Sequence, residues 1–174
     1  GRREASLWAI EPHVELAGAL PATEAQITAV HTPAHVERIR RMGLYEIAAL
    51  AAGGAVQAAT LGLEEPCFAA IRPPGHHASA GSCWGFCFFN NMAVAVEALK
   101  RQGRIRSAYI LDFDLHFGDG TENILGRRSY VSIHNPGSYD RDAYLKPRSW
   151  SVFRRTSSAS RPGSTTTART GAAC

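Results

Sequence analysis

Three residues whose types suit metal binding or proton transfer lie at alternate positions in the segment ILDFDLHFGDGT (110–121). An apolar run enters this segment, and Asp112, Asp114 and His116 then occupy positions i, i+2 and i+4. If the chain stays extended, the three side chains project to one side, because alternate residues of a strand face the same way. A carboxylate and an imidazole at a strand end are two ligands of a divalent metal site, most simply zinc. The alternative is a polar loop whose aspartates cap the helix that follows.

A pair of histidines follows a Pro-Pro-Gly turn in the segment RPPGHHASAGSCWGFCFFNN (72–91). The turn places His76 and His77 in a fixed loop. Next to a metal, paired imidazoles suit general acid/base work on a metal-bound water, because they titrate near neutral pH. The alternative is that both are solvated loop histidines. The residues behind them, including Gly85 and Phe86, either belong to the core or line a narrow apolar slot for a slender substrate.

The elements that must position these residues alternate between helix and strand patterns. We predict helices over 23–41 (in two pieces, because Pro33 interrupts the pattern), 44–60 and 90–102, and strands over 67–72, 107–112 and 130–134. Gly53-Gly54 is expected to weaken the middle of the second helix. Strands separated by helices predict an α/β fold with a parallel sheet and flanking helices. In such folds sites lie at the carboxyl ends of the strands.

The composition of the 174-residue chain is ordinary for a globular protein, with 45% hydrophobic and 20% charged residues. It excludes collagen, a coiled-coil rod and a wholly disordered chain. The net charge is +4, but five arginines lie within 147–174, a range without any acidic residue. Residues 1–146 then carry 14 basic against 15 acidic residues. Nucleic-acid binding is therefore not expected of this protein.

The compartment is predicted from what the chain lacks. No apolar run reaches the roughly 18 residues of a membrane-spanning helix, and the first residues are charged rather than apolar as in a signal peptide. The four cysteines contain no C-x-x-C pair and suggest no disulfide framework. We therefore expect a cytoplasmic protein without membrane contact. The sequence does not indicate its oligomeric state.

Four motifs occur along the chain in a distinctive order: RPPGHHA, GFCFFNNMAVAVEAL, ILDFDLHFGDGTENIL and VSIHNP. Together they resemble the histone deacetylase superfamily, which includes acetylpolyamine amidohydrolases. The segment QITAVHTPAHVERI (26–39) is similar to the family's early helical stretch. The resemblance covers about residues 12–146 and is to a bacterial or archaeal member. It implies an α/β domain around a parallel sheet, with zinc at the carboxyl ends of the strands.

The resemblance also implies which residues bind metal ions. Asp114 and His116 match two zinc ligands of the family. Asp112, with Ser132 and the backbone around it, matches a structural monovalent-cation site that usually holds potassium.

Further positions match the family's catalytic and substrate-binding residues. His76 and His77 match tandem catalytic histidines, one a general base and the other an electrostatic or acid catalyst, and Asp112 and Asp119 match the carboxylates that hold them. Another three residues match the walls of an acyl-lysine tunnel: Gly85, Phe86 and, on the opposite wall, Tyr139. The implied reaction is zinc-dependent removal of acetyl groups from acetyllysine or acetylpolyamine-type substrates.

The resemblance stops at DRDAYLK (140–146). The family's third zinc ligand is an aspartate downstream of VSIHNP, and its oxyanion tyrosine lies further on, but no acidic residue follows Asp142 here. We therefore expect 1–146 to be the N-terminal portion of a deacetylase-like domain. Residues 147–174 are expected to be a Ser/Thr/Arg-rich tail that is disordered or read out of frame. Two interpretations stay open: part of a deacetylase, or a truncated, non-catalytic remnant.

Overall fold

The computed structural model of the chain describes residues 11–135. After a short 3₁₀ turn (Glu11–His13), its helices and strands follow in this order: α1 (Glu24–Thr28), α2 (Pro33–Arg41), α3 (Tyr45–Leu61), α4 (Asn91–Arg101), β1 (Ala108–Leu111), α5 (Asp119–Leu125) and β2 (Val131–His134). The expected boundary at residue 146, the tail 147–174 and Tyr139 lie outside the described residues.

The first predicted helix is divided at Pro33, as expected. Thr23 forms a capping box with Gln26 at the start of α1, and the Thr32 side chain accepts from the His35 N–H at the start of α2. Pro33 stands at the beginning of α2, where its missing N–H costs no hydrogen bond.

Helix α3 runs unbroken through Gly53-Gly54, so the expected weak point is not a break. A Cβ atom on Gly53 would lie 1.8 Å from the carbonyl oxygen of Leu20 and 2.5 Å from the nitrogen of Ala22. The preceding segment crosses the helix here, and its Ala22 N–H donates to the Ala49 carbonyl at 2.8 Å. The glycine permits this close approach of two backbones.

Helix α4 is the centre of the described core. The Asn90 side chain caps it by accepting from the Ala93 N–H, and the residues from Ala93 to Leu99 are all buried. The helix packs against α3 on one side, and its apolar residues join a core cluster that includes Ile110 of β1. Within residues 11–135, no helix has the length and apolar character to cross a membrane.

The two strands form a parallel pair, with Ala108 opposite Val131 and Leu111 opposite His134. Helix α5 lies between them in sequence, so β1, α5 and β2 form a βαβ unit. The pairing continues one residue beyond β1, where the Asp112 N–H donates to the His134 carbonyl at 3.0 Å. This confirms the predicted α/β fold and brings Asp112 to the carboxyl edge of the sheet.

The prediction of a strand over 67–72 is wrong. The structure has only a single bridge residue there, at Phe68. The Ile71 N–H turns back to the Ala69 carbonyl at 3.1 Å, which closes a three-residue turn and ends the extended run. An apolar composition is therefore not sufficient for a strand at this position.

Candidate active site

Two histidine–aspartate pairs lie side by side at the carboxyl edge of the sheet. Nδ1 of His76 is 2.9 Å from Oδ2 of Asp112, and Nδ1 of His77 is 2.7 Å from Oδ1 of Asp119. Because an ionised carboxylate only accepts hydrogen bonds, each Nδ1 carries the proton. The two imidazole rings are 4.0 Å apart and only 8% and 4% exposed. The alternative of solvated loop histidines is therefore wrong.

The loop that carries the histidines is attached directly to helix α5. The Thr121 N–H donates to the His76 carbonyl at 3.1 Å, and the buried Asn90 amide donates to both the Ala78 carbonyl and the Thr121 hydroxyl at 3.1 Å. A Cβ atom on Gly120 would lie 2.5 Å from the Ala78 backbone. Gly120 therefore allows the helix to lie against the histidine loop.

The segment after β1 bends, which corrects the expectation of three side chains on one side of an extended chain. Asp112 Oδ1 accepts from the Asp114 N–H at 3.1 Å, and Asp114 Oδ1 accepts from the His116 N–H at 2.8 Å. Short aspartate side chains stabilise such turns by bonding the backbone two residues ahead. As a result Asp112 faces His76, while Asp114 and His116 face each other. The alternative prediction, that Asp112 and Asp114 cap the following helix, is also wrong, because the N-cap residue of α5 is Gly118.

Asp114 and His116 fit two positions of a zinc site. Oδ1 of Asp114 and Nδ1 of His116 are 3.3 Å apart, about the separation of two ligands that each lie roughly 2.0 to 2.1 Å from a tetrahedral zinc. Both side chains are accessible to solvent. Within residues 11–135, no third His, Cys, Asp or Glu completes the set. The described residues therefore offer two protein ligands for a metal ion.

Gly118 and Asn135 lie next to the His76–Asp112 pair. A Cβ atom on Gly118 would lie 2.3 Å from Asp112 Oδ2 and 3.2 Å from His76 Nδ1. The Asn135 side-chain oxygen accepts from the Gly118 N–H at 3.1 Å, which ties the end of β2 to the start of α5. Ser132, also on β2, is exposed and lies opposite Tyr109 in the sheet register.

The residues expected to line a tunnel lie beside His77. Gly85 has φ +60°, and a Cβ atom on it would meet Cδ2 of His77 at 2.6 Å. Phe86 has φ +63° and a side chain that is 84% exposed. Before them, the Trp84 ring stacks on the His77 ring at 3.7 Å. Gly85 therefore permits close packing against the histidine, and Phe86 points away from the core.

The charges around the two pairs shift three pKa values. Burial lowers the pKa of His76, but its hydrogen bond to Asp112 and the nearby carboxylates outweigh burial and raise it above its ordinary value. Burial raises the pKa of Asp114, yet hydrogen bonds from His116 and the positive charge of His76 bring it below its ordinary value. For Asp119, burial is likewise outweighed by hydrogen bonds from Trp84 and His77, which lower its pKa. The surroundings therefore favour the ionised forms of Asp114 and Asp119 and the protonated form of His76.

The family of the chain is identified by a match that covers most of its sequence. A family model described as "Histone deacetylase domain" matches residues 4–147. The chain belongs to the histone deacetylase family. A solved structure, the HD domain of HDA15, superimposes with a TM-score of 0.70 at 31% identity, covering 75% of this chain and 42% of that one. The fold of the family domain is thus confirmed for the described residues.

Histone deacetylase relatives of bacteria and archaea match much of the chain. A histone deacetylase-like amidohydrolase of Pseudomonas aeruginosa is 34% identical over 148 residues, covering 72% of this chain and 39% of the relative. A probable deacetylase of Archaeoglobus fulgidus is 46% identical over 109 residues, covering 59% and 30%. Acetylpolyamine amidohydrolase 1 of P. aeruginosa is 50% identical over 70 residues, covering 38% and 20%. The chain spans less than half the length of each relative.

Sequence reasoning missed two buried histidines that fix the histidine loop of this deacetylase-family chain. His31 contacts the Ser79 carbonyl through Nδ1 at 3.0 Å and accepts from the Asn90 N–H at Nε2 at 2.9 Å. His35 contacts the Phe88 carbonyl through Nε2 at 2.7 Å. No sequence signal indicated them, because His31 lies between α1 and α2 while His35 lies within α2, so the two share no helical face.

Proposed function

We propose that the chain supplies the histidine loop and two metal ligands of a zinc-dependent amidohydrolase. Its substrates would be acetyllysine or acetylpolyamine-type molecules. The observation that carries the proposal is the pair of contacts His76–Asp112 and His77–Asp119, whose buried imidazole rings lie 4.0 Å apart. A carboxylate hydrogen-bonded behind an imidazole fixes its tautomer and raises its basicity, as acid/base catalysis requires.

His77 is the proposed general base. Its ring faces that of His116 at 6.1 Å, so it lies next to the proposed metal ligands. Asp119 holds the proton at Nδ1, which leaves the Nε2 lone pair to accept a proton from the attacking water. The same Nε2 then passes that proton to the amine nitrogen as the carbon–nitrogen bond breaks, and acetate and a free amine are released.

His76 is the proposed electrostatic partner. The surrounding carboxylates hold its pKa above the ordinary value, although burial acts in the opposite direction. A protonated imidazole at this position stabilises negative charge on the substrate oxygen when water adds to the carbonyl carbon. Different tasks are therefore proposed for the two histidines, and their different surroundings support this division.

Asp114 and His116 are the proposed zinc ligands, and their 3.3 Å separation supports this assignment. Zinc would polarise the substrate carbonyl and lower the pKa of the attacking water. A third ligand has to come from outside residues 11–135. A potassium site at Asp112 and Ser132 stays a prediction; both oxygens of Asp112 already accept hydrogen bonds.

The substrate class is proposed from the relatives and from the rim of the site. One relative is an acetylpolyamine amidohydrolase and another a histone deacetylase-like amidohydrolase, which supports an acetylated amine. The exposed Phe86, with Gly85 beside His77, is suited to border a slender acyl chain. Tyr139 is proposed for the opposite side of this slot.

A second candidate is a non-catalytic chain. The observation that favours it is the incomplete metal site: among the described residues, no third protein ligand joins Asp114 and His116. Such a chain would bind zinc weakly and hydrolyse nothing.

Zinc content and hydrolysis separate the two candidates. The purified protein is loaded with zinc, passed over a desalting column with a mild chelator, and analysed for metal and for release of acetate from acetyllysine peptides and acetylpolyamines. One retained zinc per chain, lost in Asp114→Asn, together with activity that His77→Ala abolishes, supports the proposal. His13→Ala is the matched control, since His13 is exposed and far from the site in sequence. Retained zinc in Asp114→Asn, or activity in His77→Ala, would overturn the residue assignments. A chain that loses its zinc and releases no acetate is the non-catalytic candidate.

A further inference from the structure

Trp84 contacts both members of the His77–Asp119 pair. Its indole N–H donates to Asp119 Oδ2 at 2.9 Å, while His77 donates to Oδ1 of the same carboxylate at 2.7 Å. The indole ring also stacks on the His77 ring, with centroids 3.7 Å apart and planes inclined by 27°. The three side chains therefore form a closed set in which each contacts the other two.

The indole N–H is a second side-chain donor to the Asp119 carboxylate, beside His77 and the backbone N–H of Gly120. Its side chain is 43% exposed, whereas that of His77 is 4% exposed. Water competes for the hydrogen bonds of an exposed carboxylate, and the side chain can rotate away from a single partner. With one oxygen bound by His77 and the other by Trp84, rotation would break two hydrogen bonds at once.

The position of Trp84 is not explained by core packing. The residue is 55% exposed, which is unfavourable for so large an apolar ring unless its contacts compensate. The two residues after it, Gly85 and Phe86, both have positive φ, at 60° and 63°. A phenylalanine in this region is strained, and strain of this kind is retained where the surrounding contacts require it. This turn directly follows Trp84, whose indole lies over the His77 ring.

We propose that Trp84 is a positioning residue for His77, acting both through the ring contact and through the second oxygen of Asp119. The expected effect of Trp84 on catalysis rests on the proposed role of His77. The claim that Trp84 maintains the His77–Asp119 hydrogen bond holds whether or not the chain is an active enzyme.

Two substitutions separate the two contacts. Trp84→Phe keeps an aromatic ring over His77 but removes the indole N–H, and Trp84→Leu removes both. Phe68→Leu is the matched control, because Phe68 is likewise an exposed aromatic residue but lies outside the site. Nuclear magnetic resonance of nitrogen-15-labelled protein observes the Nδ1 proton of His77 and the indole protons directly. The amide signals of α4 report whether each variant is folded.

The expected result is a graded loss. In the parent chain and in Phe68→Leu the Nδ1 proton of His77 is observed; in Trp84→Phe it exchanges faster with water, and in Trp84→Leu it disappears while the α4 signals stay unchanged. An unchanged Nδ1 proton in a folded Trp84→Leu variant overturns the proposal. If α4 is also disturbed in Trp84→Leu, the comparison of Trp84→Phe with the parent decides: an unaltered exchange rate there overturns it.

Kinetics distinguishes this proposal from the proposed function. Where acetate release is measurable, we expect kcat to fall about 10-fold or more in Trp84→Leu and less in Trp84→Phe, with KM little changed. A change confined to KM would mean that Trp84 contacts substrate instead of positioning His77. A chain that hydrolyses nothing but still shows the graded loss of the Nδ1 proton refutes the proposed function and leaves the positioning role intact.

Discussion

His76 and Asp112 are 36 positions apart in the sequence, yet Nδ1 of the histidine lies 2.9 Å from Oδ2 of the aspartate. The contact joins the loop before α4 to the carboxyl end of β1. A third segment meets them there, because Gly118 at the start of α5 is packed against both side chains. The pair therefore depends on a residue that carries no functional group.

Gly118→Ala is expected to separate His76 from Asp112. Its added methyl group would lie 2.3 Å from Asp112 Oδ2, so the carboxylate has to move. Without that hydrogen bond, burial dominates and the pKa of His76 falls. Titration followed by nuclear magnetic resonance measures the change, with Gly81→Ala as control because a Cβ there meets nothing closer than 3.8 Å. An unaltered His76 titration in Gly118→Ala would contradict the packing described.

The stability of the fold is expected to fall in mild acid because of His31. Burial and the neighbouring His35 lower the pKa of His31 from 6.5 to about 4, although hydrogen bonds to Ser79 and Ala80 act in the opposite direction. Between these two values the unfolded chain takes up a proton and the folded chain does not. The free energy of unfolding is therefore unaffected by His31 above pH 6.5. As the pH falls towards 4, His31 lowers it, by at most about 3 kcal/mol.

His31→Gln tests this dependence, because glutamine offers a donor and an acceptor but does not titrate. Urea unfolding at several pH values is expected to give a smaller loss of stability in acid for His31→Gln than for the parent chain. The control is His13→Gln at an exposed position. Equal losses in His31→Gln and in the parent would show that His31 is not the titrating group.

Gly53→Ala is expected to destabilise the protein, contrary to the usual effect within a helix. Alanine normally favours a helix over glycine by about 1 kcal/mol. Here its Cβ would lie 1.8 Å from the Leu20 carbonyl oxygen, and forced repacking costs about 1 to 3 kcal/mol. Chemical denaturation measures the difference, and Gly18→Ala is the control, since a Cβ on Gly18 meets nothing within 4 Å. A Gly53→Ala variant as stable as the parent would contradict the close backbone approach.

Tyr130→Phe is expected to destabilise the contact between α4 and the start of β2. The Tyr130 hydroxyl donates to Glu97 Oε2 at 2.5 Å; burial and this carboxylate raise the pKa of Tyr130 to about 12. Loss of a hydrogen bond to a charged group costs about 1.5 to 3 kcal/mol. Thermal unfolding measures the destabilisation. Tyr45→Phe is the control, because it keeps the ring that contacts Phe89 and Arg40. Equal losses in both variants would refute the prediction.

Helices α1 to α4 and the two paired strands were predictable because their signals are local, whereas no range was predicted for α5. Apolar periodicity, Pro33 and the capping residues act within a few positions, and the observed α4, β1 and β2 lie within the predicted ranges. The strand over 67–72 was wrong because the segment forms a bridge at Phe68 alone and turns at Ile71, so that no ladder extends along it. Composition alone does not state whether such a ladder forms.

By itself, the sequence determined the residue types of the site, their order along the chain and the family to which they belong. The tertiary structure decided which imidazole meets which carboxylate, that the segment after β1 bends, and that Trp84 and His31 belong to the site's support. Hydrogen bonds between segments depend on distances of tenths of an ångström. Those distances depend on Gly118, which leaves room for the His76 and Asp112 side chains, and on Gly120, which lets two backbones approach each other.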